Sequence, residues 1–149
     1  MTTDLDTTIK LMIYRAIAET TNVPTSGEVA AATGFPENEV RASFARLHVK
    51  RLLLPEPGDP TRIRMAPPFS GVPTPFPVDA RGKRYYANCV WDSYGIAAAL
   101  HSDAVIPASD GFSGEPLTLE VRDGRPIARP YVSHFAVPAA RWWQDLIHT

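Results

Sequence analysis

Eight of the fifteen prolines in this 149-residue chain fall between Pro55 and Pro77, at positions 55, 57, 60, 67, 68, 73, 75 and 77. Each proline fixes its backbone φ and removes an N–H donor, so no long helix can run through this stretch. The cluster predicts an extended connector lying over a surface between two differently built halves. The expected boundaries are residues 1–65, 66–80 and 81–149.

The first half has helical periodicity. Leu5, Ile9, Leu11, Met12, Ile13, Ala16 and Ile17 recur, with polar residues between them, in a stretch ending at Thr20, a spacing that suits an amphipathic helix. Thr25-Ser-Gly-Glu28 has the spacing of a capping box ahead of Val29-Ala-Ala-Ala32, with Gly34 placed to stop that helix. Pro36 suits the first turn of a third helix, whose inward face is Val40, Phe44, Leu47 and Val49. Leu52–Leu54 and Ile63–Met65 then flank Glu56-Pro-Gly-Asp59 as two strands and a turn. Three helices and a hairpin describe a winged-helix-like domain, a form that often carries its third helix into the DNA major groove. Residues 1–65 hold eight basic and eight acidic side chains, however, a poor footprint for DNA.

Charge narrows the classes further. Fifteen lysines and arginines against sixteen acids leave a net charge of −1, so no global field draws the chain to nucleic acid or to anionic membrane. One cysteine excludes an internal disulfide and a multi-cysteine zinc site. No apolar run reaches the roughly 20 residues that span a bilayer. Thr2-Thr-Asp-Leu-Asp6 lacks an apolar signal region. The expectation is a soluble, cytoplasmic protein without a membrane partner.

The second half carries the chemistry. Tyr85-Tyr-Ala87 reads as a short strand leading to Cys89, and Asp92 to Leu100 as a helix. Ala104–Ile106 and Leu117–Val121 read as strands, Asp123-Gly124 as a hairpin turn, Pro126 to Val132 as its return strand and Ala139 to Ile147 as a last helix. Helices segregated from an antiparallel sheet make the fold class α+β. Cys89 and Asp92 are three residues apart, so one helix face brings a soft nucleophile and a proton carrier to one small site. Cys89 as a small buried hydrophobe, and Asp92 as a helix cap, are the plainer alternatives. A helix N-terminus beside Cys89 is expected to lower its pKa.

Gly82-Lys-Arg-Tyr-Tyr-Ala-Asn-Cys-Val-Trp-Asp92, followed by Gly95-Ile-Ala-Ala-Ala-Leu100 and Gly114-Glu-Pro116, resembles the alkylmercury (organomercurial) lyase family. The likeness is tight over residues 81–116. It continues loosely through Val132-Ser-His-Phe-Ala136 and Trp142-Trp143. The resemblance implies a winged-helix-like domain ahead of a lyase core and cleavage of a carbon–mercury bond with no organic cofactor. In the family, two thiolates bind mercury and an aspartate protonates the departing carbon. The resemblance assigns the first thiol, and with it mercury ligation, to Cys89 and the proton donor to Asp92. The family's second cysteine falls near Arg129 or Pro130, and a further one near Asp110. None of these is a thiol, so this is a divergent member, and an external thiol or a second subunit is left to supply the second sulfur.

Four more residues are candidates for contact with a small-molecule substrate. Tyr85 and Tyr86 alternate across a strand, so one can face the site, although packing with a polar tip also explains them. His134 lies near the lost thiol position as an acid, base or ligand. Arg129 brings a guanidinium suited to a carboxylate. Two functions therefore compete. One is a lyase acting at a carbon centre through Cys89 and Asp92, on an organomercurial or a non-mercurial small molecule. The other is a non-catalytic winged-helix regulator that senses a thiophilic metal or small ligand through Cys89.

Overall fold

The computed structural model describes residues 4–147. Helix α1, Leu5–Thr20, buries Ile9, Ile13 and Ile17 on one stripe and ends where Thr21 turns left-handed. Helix α2, Ser26–Thr33, begins with the expected capping box: Thr25 Oγ1 accepts from the Glu28 N–H, and Glu28 reaches back to the Thr25 N–H at 2.7 Å. Gly34, at φ 76°, closes it. Thr25→Ala removes one partner of this reciprocal pair. It is expected to lower stability by about 1 kcal/mol, read as a smaller urea midpoint with an unchanged m-value.

Helix α3, Glu37–Val49, buries Val40, Phe44 and Leu47. Val49 was expected to face inward with them but is 82% exposed, because two residues beyond Leu47 is more than half a turn away. Pro36 takes the N-cap position rather than the first turn. Strands β1, Leu54–Glu56, and β2, Asp59–Ala66, form a hairpin around Pro57-Gly58. Strand β3, Phe69–Ser70, joins β2 antiparallel to complete a three-stranded sheet. Three helices and this sheet are compatible with a winged-helix arrangement.

The proline-rich segment does more than connect. It contains β3 and the whole of β4, Pro77–Ala80, and buries Ala66, Phe69 and Val78. Strand β4 turns through Arg81-Gly82, both at positive φ, into β5, Lys83–Tyr86. That pair of left-handed residues is what a tight two-residue hairpin demands. Helix α4, Val90–Leu100, follows, then β6, Ala104–Ser109, β7, Pro116–Arg122, and β8, Arg125–Pro126. The second sheet is antiparallel in the order β5-β4-β6-β7-β8. The fold is α+β.

Two elements fall short of expectation. The return strand stops after Pro126, with one further ladder bond from Ile127 N–H to the Glu120 carbonyl. Pro126 and Pro130 have no N–H to extend it. The last helix is a 3₁₀ segment, Ala139–Gln144, whose Trp142 packs on Phe135 at 5.1 Å and donates to the Val137 carbonyl. Its aromatic side chains are satisfied locally rather than in the core.

One contiguous apolar cluster runs from Ile9, Ile13 and Phe44 through Phe69 and Tyr85 to Ile96, Ile106 and Val121. Phe69 is its pivot. Its ring meets Tyr14 at 6.2 Å and Tyr85 at 5.8 Å, contacts each worth about 1 kcal/mol beyond their burial. The helices before the prolines and the sheet after them therefore share a core. Among the described residues, no helix is long and apolar enough to cross a membrane.

Candidate active site

Helix α4 starts two residues earlier than the periodicity suggests, which sets the geometry of its first turn. Cys89 is the N-cap, in extended backbone conformation, and Asp92 is the third helical residue. The two are close enough that the Asp92 charge raises the Cys89 thiol, while the Trp91 and Asp92 N–H groups pull it down. Burial is the largest influence and pushes the thiol up overall. The expectation of a lowered thiol pKa is corrected here: the helix N-terminus acts in the right direction, but desolvation of the half-buried sulfur outweighs it.

Asp92 is also pushed up, by burial, against a single opposing hydrogen bond from Asn88. Asn88 Nδ2 donates to Asp92 Oδ2 at 2.9 Å and lies 3.4 Å from the Pro68 carbonyl. The Pro67-Pro68 pair lies over α4 at Gly95, where a side-chain carbon would come within 3.0 Å of Pro68 Cβ. Tyr14 of α1 ties the same pair down, donating to the Pro67 carbonyl at 2.7 Å. Burial, with the Asp92 charge adding to it, pushes the Tyr14 phenol up to about 12. A thiol and a carboxyl thus stand partly desolvated at the start of α4, with Pro68 packed against Asn88 and Gly95 and Pro67 held by a tyrosine from the first helix.

The other candidates lie apart. Tyr85 is 1% exposed, and its hydroxyl donates to the Ala18 carbonyl at 2.8 Å. It fastens β5 to α1, so its substrate-binding reading gives way to packing. Tyr86 points to the opposite face of β5, is partly exposed, and pairs across the ladder with Pro77. Arg129 is bound to Glu120 at 2.9 Å. Glu120 alternates along β7 with the buried Leu119 and Val121, so this ion pair sits on the sheet face turned away from α4. A guanidinium held there does not join the Cys89 corner. His134 is exposed in the irregular stretch after β8, and among the described residues no hydrogen bond or ion pair links it to Cys89 or Asp92. Asp110 accepts from the N–H groups of Phe112 and Ser113 and shapes the turn before β7.

Asn88 and Tyr14 were not singled out from sequence. Asn88 could have been, since it stands four residues before Asp92 beside the cysteine. Tyr14 carries no local signal, being brought in by the packing of α1 alone. Two basic residues at the end of α3 are also engaged. Arg46 and Lys50 both grip Asp6 of α1, at 2.7 and 3.1 Å, rather than standing free for phosphate.

An antiparallel sheet beside a helix with a thiol and an acid at its start makes this an α+β protein with a candidate site at α4. The family model for alkylmercury lyase (MerB) matches residues 69–149, more than half of the chain. The chain belongs to the alkylmercury lyase family, a family of lyases. Its fold is similar to the crystal structure of the mercury-bound form of MerB2, with a TM-score of 0.64 at 23% identity. That superposition covers 80% of this chain and 57% of the other, so the chain spans little more than half the length of that relative. No curated protein matches the chain.

Proposed function

We propose that the protein cleaves the carbon–mercury bond of an organomercurial, with Cys89 binding the mercury and Asp92 protonating the carbon. The observation that carries this reading is the pairing of the two groups on the first turn of α4, both pushed up by burial. A thiol so raised keeps its proton until a soft metal claims the sulfur. The neighbouring carboxylate, itself raised, is the base that receives the proton. As the carbon–mercury bond breaks, its electron pair stays on carbon, and Asp92 hands the same proton on. The products are hydrocarbon and mercury(II) bound to Cys89 and to the counter-ligand it arrived with, which an external thiol replaces as its own proton leaves with that ligand. No electron is gained or lost.

Cys89 is the only cysteine in the chain. A small external thiol supplies the second sulfur in this reading and carries the metal away. In it residues 1–65 form the winged-helix-like domain, 66–80 the proline-rich connector and 81–149 the alkylmercury lyase-like core. Tyr86 and His134 are left as substrate contacts to be tested, and Arg129 only if the segment after β8 moves. The bonding of Arg46 and Lys50 to Asp6 weighs against the DNA-binding sensor reading. A redirected, non-mercurial substrate is the outcome to examine if mercury chemistry fails.

The test is benzene release from phenylmercury with increasing external thiol. We expect release that rises with thiol and exceeds the protein-free blank. Release equal to the blank at every thiol concentration would overturn the proposal.

A further inference from the structure

The acids at the third position of α2 and α4 behave differently, and the difference points to a role for Asn88. In α2, Glu28 folds back onto the N–H of its own N-cap residue, the ordinary task of an acid at that position. In α4, Asp92 holds the corresponding position, yet among the described residues it makes no such bond to the Cys89 N–H. Its Oδ2 accepts instead from Asn88 Nδ2.

We propose that Asn88 is a positioning residue for Asp92: its carboxamide draws the carboxyl away from helix capping and holds it beside the Cys89 thiol, next to the Pro67-Pro68 pair. The inference rests on the functional reading above and deepens it. The orientation of the amide follows from its neighbours. Nδ2 faces two acceptors, Asp92 Oδ2 and the Pro68 carbonyl, whereas Oδ1 is buried and has no hydrogen-bond partner among the described residues. Flipping the amide would set its oxygen against both acceptors, so only one orientation keeps Asp92 bonded. The proline pair is held by Tyr14, whose hydroxyl donates to Pro67. Tyr14 therefore acts on Asp92 through Pro68 and Asn88, which brings the first helix into the geometry of the site. Asn88 touches the acid rather than the reacting atoms, so the effect is one of alignment, to which reaction rates are steep.

Two measurements test this, one of them independent of turnover. In nitrogen-15 spectra of the full chain, the Asn88 side-chain amide is expected to exchange slowly with solvent. That protection should vanish in Asp92→Ala and weaken in Tyr14→Phe. Exchange at the rate of an exposed asparagine in the unmutated protein would overturn the proposal, whatever the activity. In the phenylmercury assay, Asn88→Ala is expected to lower kcat about tenfold to a hundredfold with KM and stoichiometric mercury binding unchanged. Asn88→Ser, which keeps a donor, serves if the alanine variant does not fold, and should recover part of the rate. An unchanged kcat in a folded variant would likewise overturn it. If the unmutated protein releases no benzene, the functional reading fails, and the amide measurement still decides whether Asn88 holds Asp92.

Discussion

Cys89→Ser is expected to reduce hydrocarbon release to the level of the external thiol alone, with loss of stoichiometric mercury binding. Serine keeps the size of the side chain but offers a hard oxygen in place of a soft sulfur, so the metal has no ligand on the protein. Asp92→Asn separates the next step from this one. The amide is nearly isosteric but has no carboxyl to take a proton from sulfur and return it to carbon. We expect the variant to bind the organomercurial through Cys89 and to release hydrocarbon about a hundred to ten-thousandfold more slowly. Mercury binding by mass spectrometry of the intact protein and benzene release by gas chromatography distinguish the two. Asp92→Asn turning over at the unmutated rate would remove Asp92 from the chemistry, and Cys89→Ser doing so would remove the thiol.

The largest effect on stability is expected at Asp6. Its carboxylate is 5% exposed and accepts from Ser43 Oγ at 2.8 Å, from Arg46 through both Nε and Nη2, and from Lys50 Nζ. Arg46 is the main cause of a carboxyl held well below the usual range, with Ser43 and Lys50 adding to it against the opposing effect of burial. Asp6→Ala strands a buried hydroxyl and releases two cations. Because both cations reach solvent, we expect a loss of about 2–3 kcal/mol rather than the larger figure for a fully buried pair. The sign of the pH dependence follows from the depressed value. The folded state binds its proton less readily than the unfolded chain, so the contribution is present above the unfolded carboxyl pKa of about 4 and fades as pH falls below it. Urea midpoints between pH 7 and 3 should fall less steeply for Asp6→Asn than for the unmutated protein. Parallel acid limbs would mean that the clamp does not form in solution.

Asp6 also shows where sequence reading stops. The periodicity of α1 exposed its apolar stripe, and an acid in the first turn suits the helix dipole, but nothing local says that this acid will be buried. Its partners, Ser43 and Arg46 on α3, arrive only when the helices pack. The same holds at the candidate site. Cys89 and Asp92 were legible because helical spacing is a local rule and the surrounding segment has a family likeness. Tyr14, Pro67 and Pro68 were not, since no pattern within a segment says which distant carbonyl a tyrosine will reach. The partners of Arg129 and Tyr85 were not legible for the matching reason. The first is held by Glu120 on the outer face of β7, and the second spends its hydroxyl on Ala18.

The sequence by itself determined the first three helices, the capping box of α2, the turns at Pro57-Gly58 and Asp123-Gly124 and the three-residue spacing of Cys89 and Asp92, because each depends on residues within a turn or two of one another. Only the tertiary structure decided that Pro68 packs against α4 at Gly95, that the first helix holds Pro67 through Tyr14, and that burial raises Cys89 against its helix N-terminus. Those outcomes turn on which groups lose water together, and that is settled when the two halves share one core.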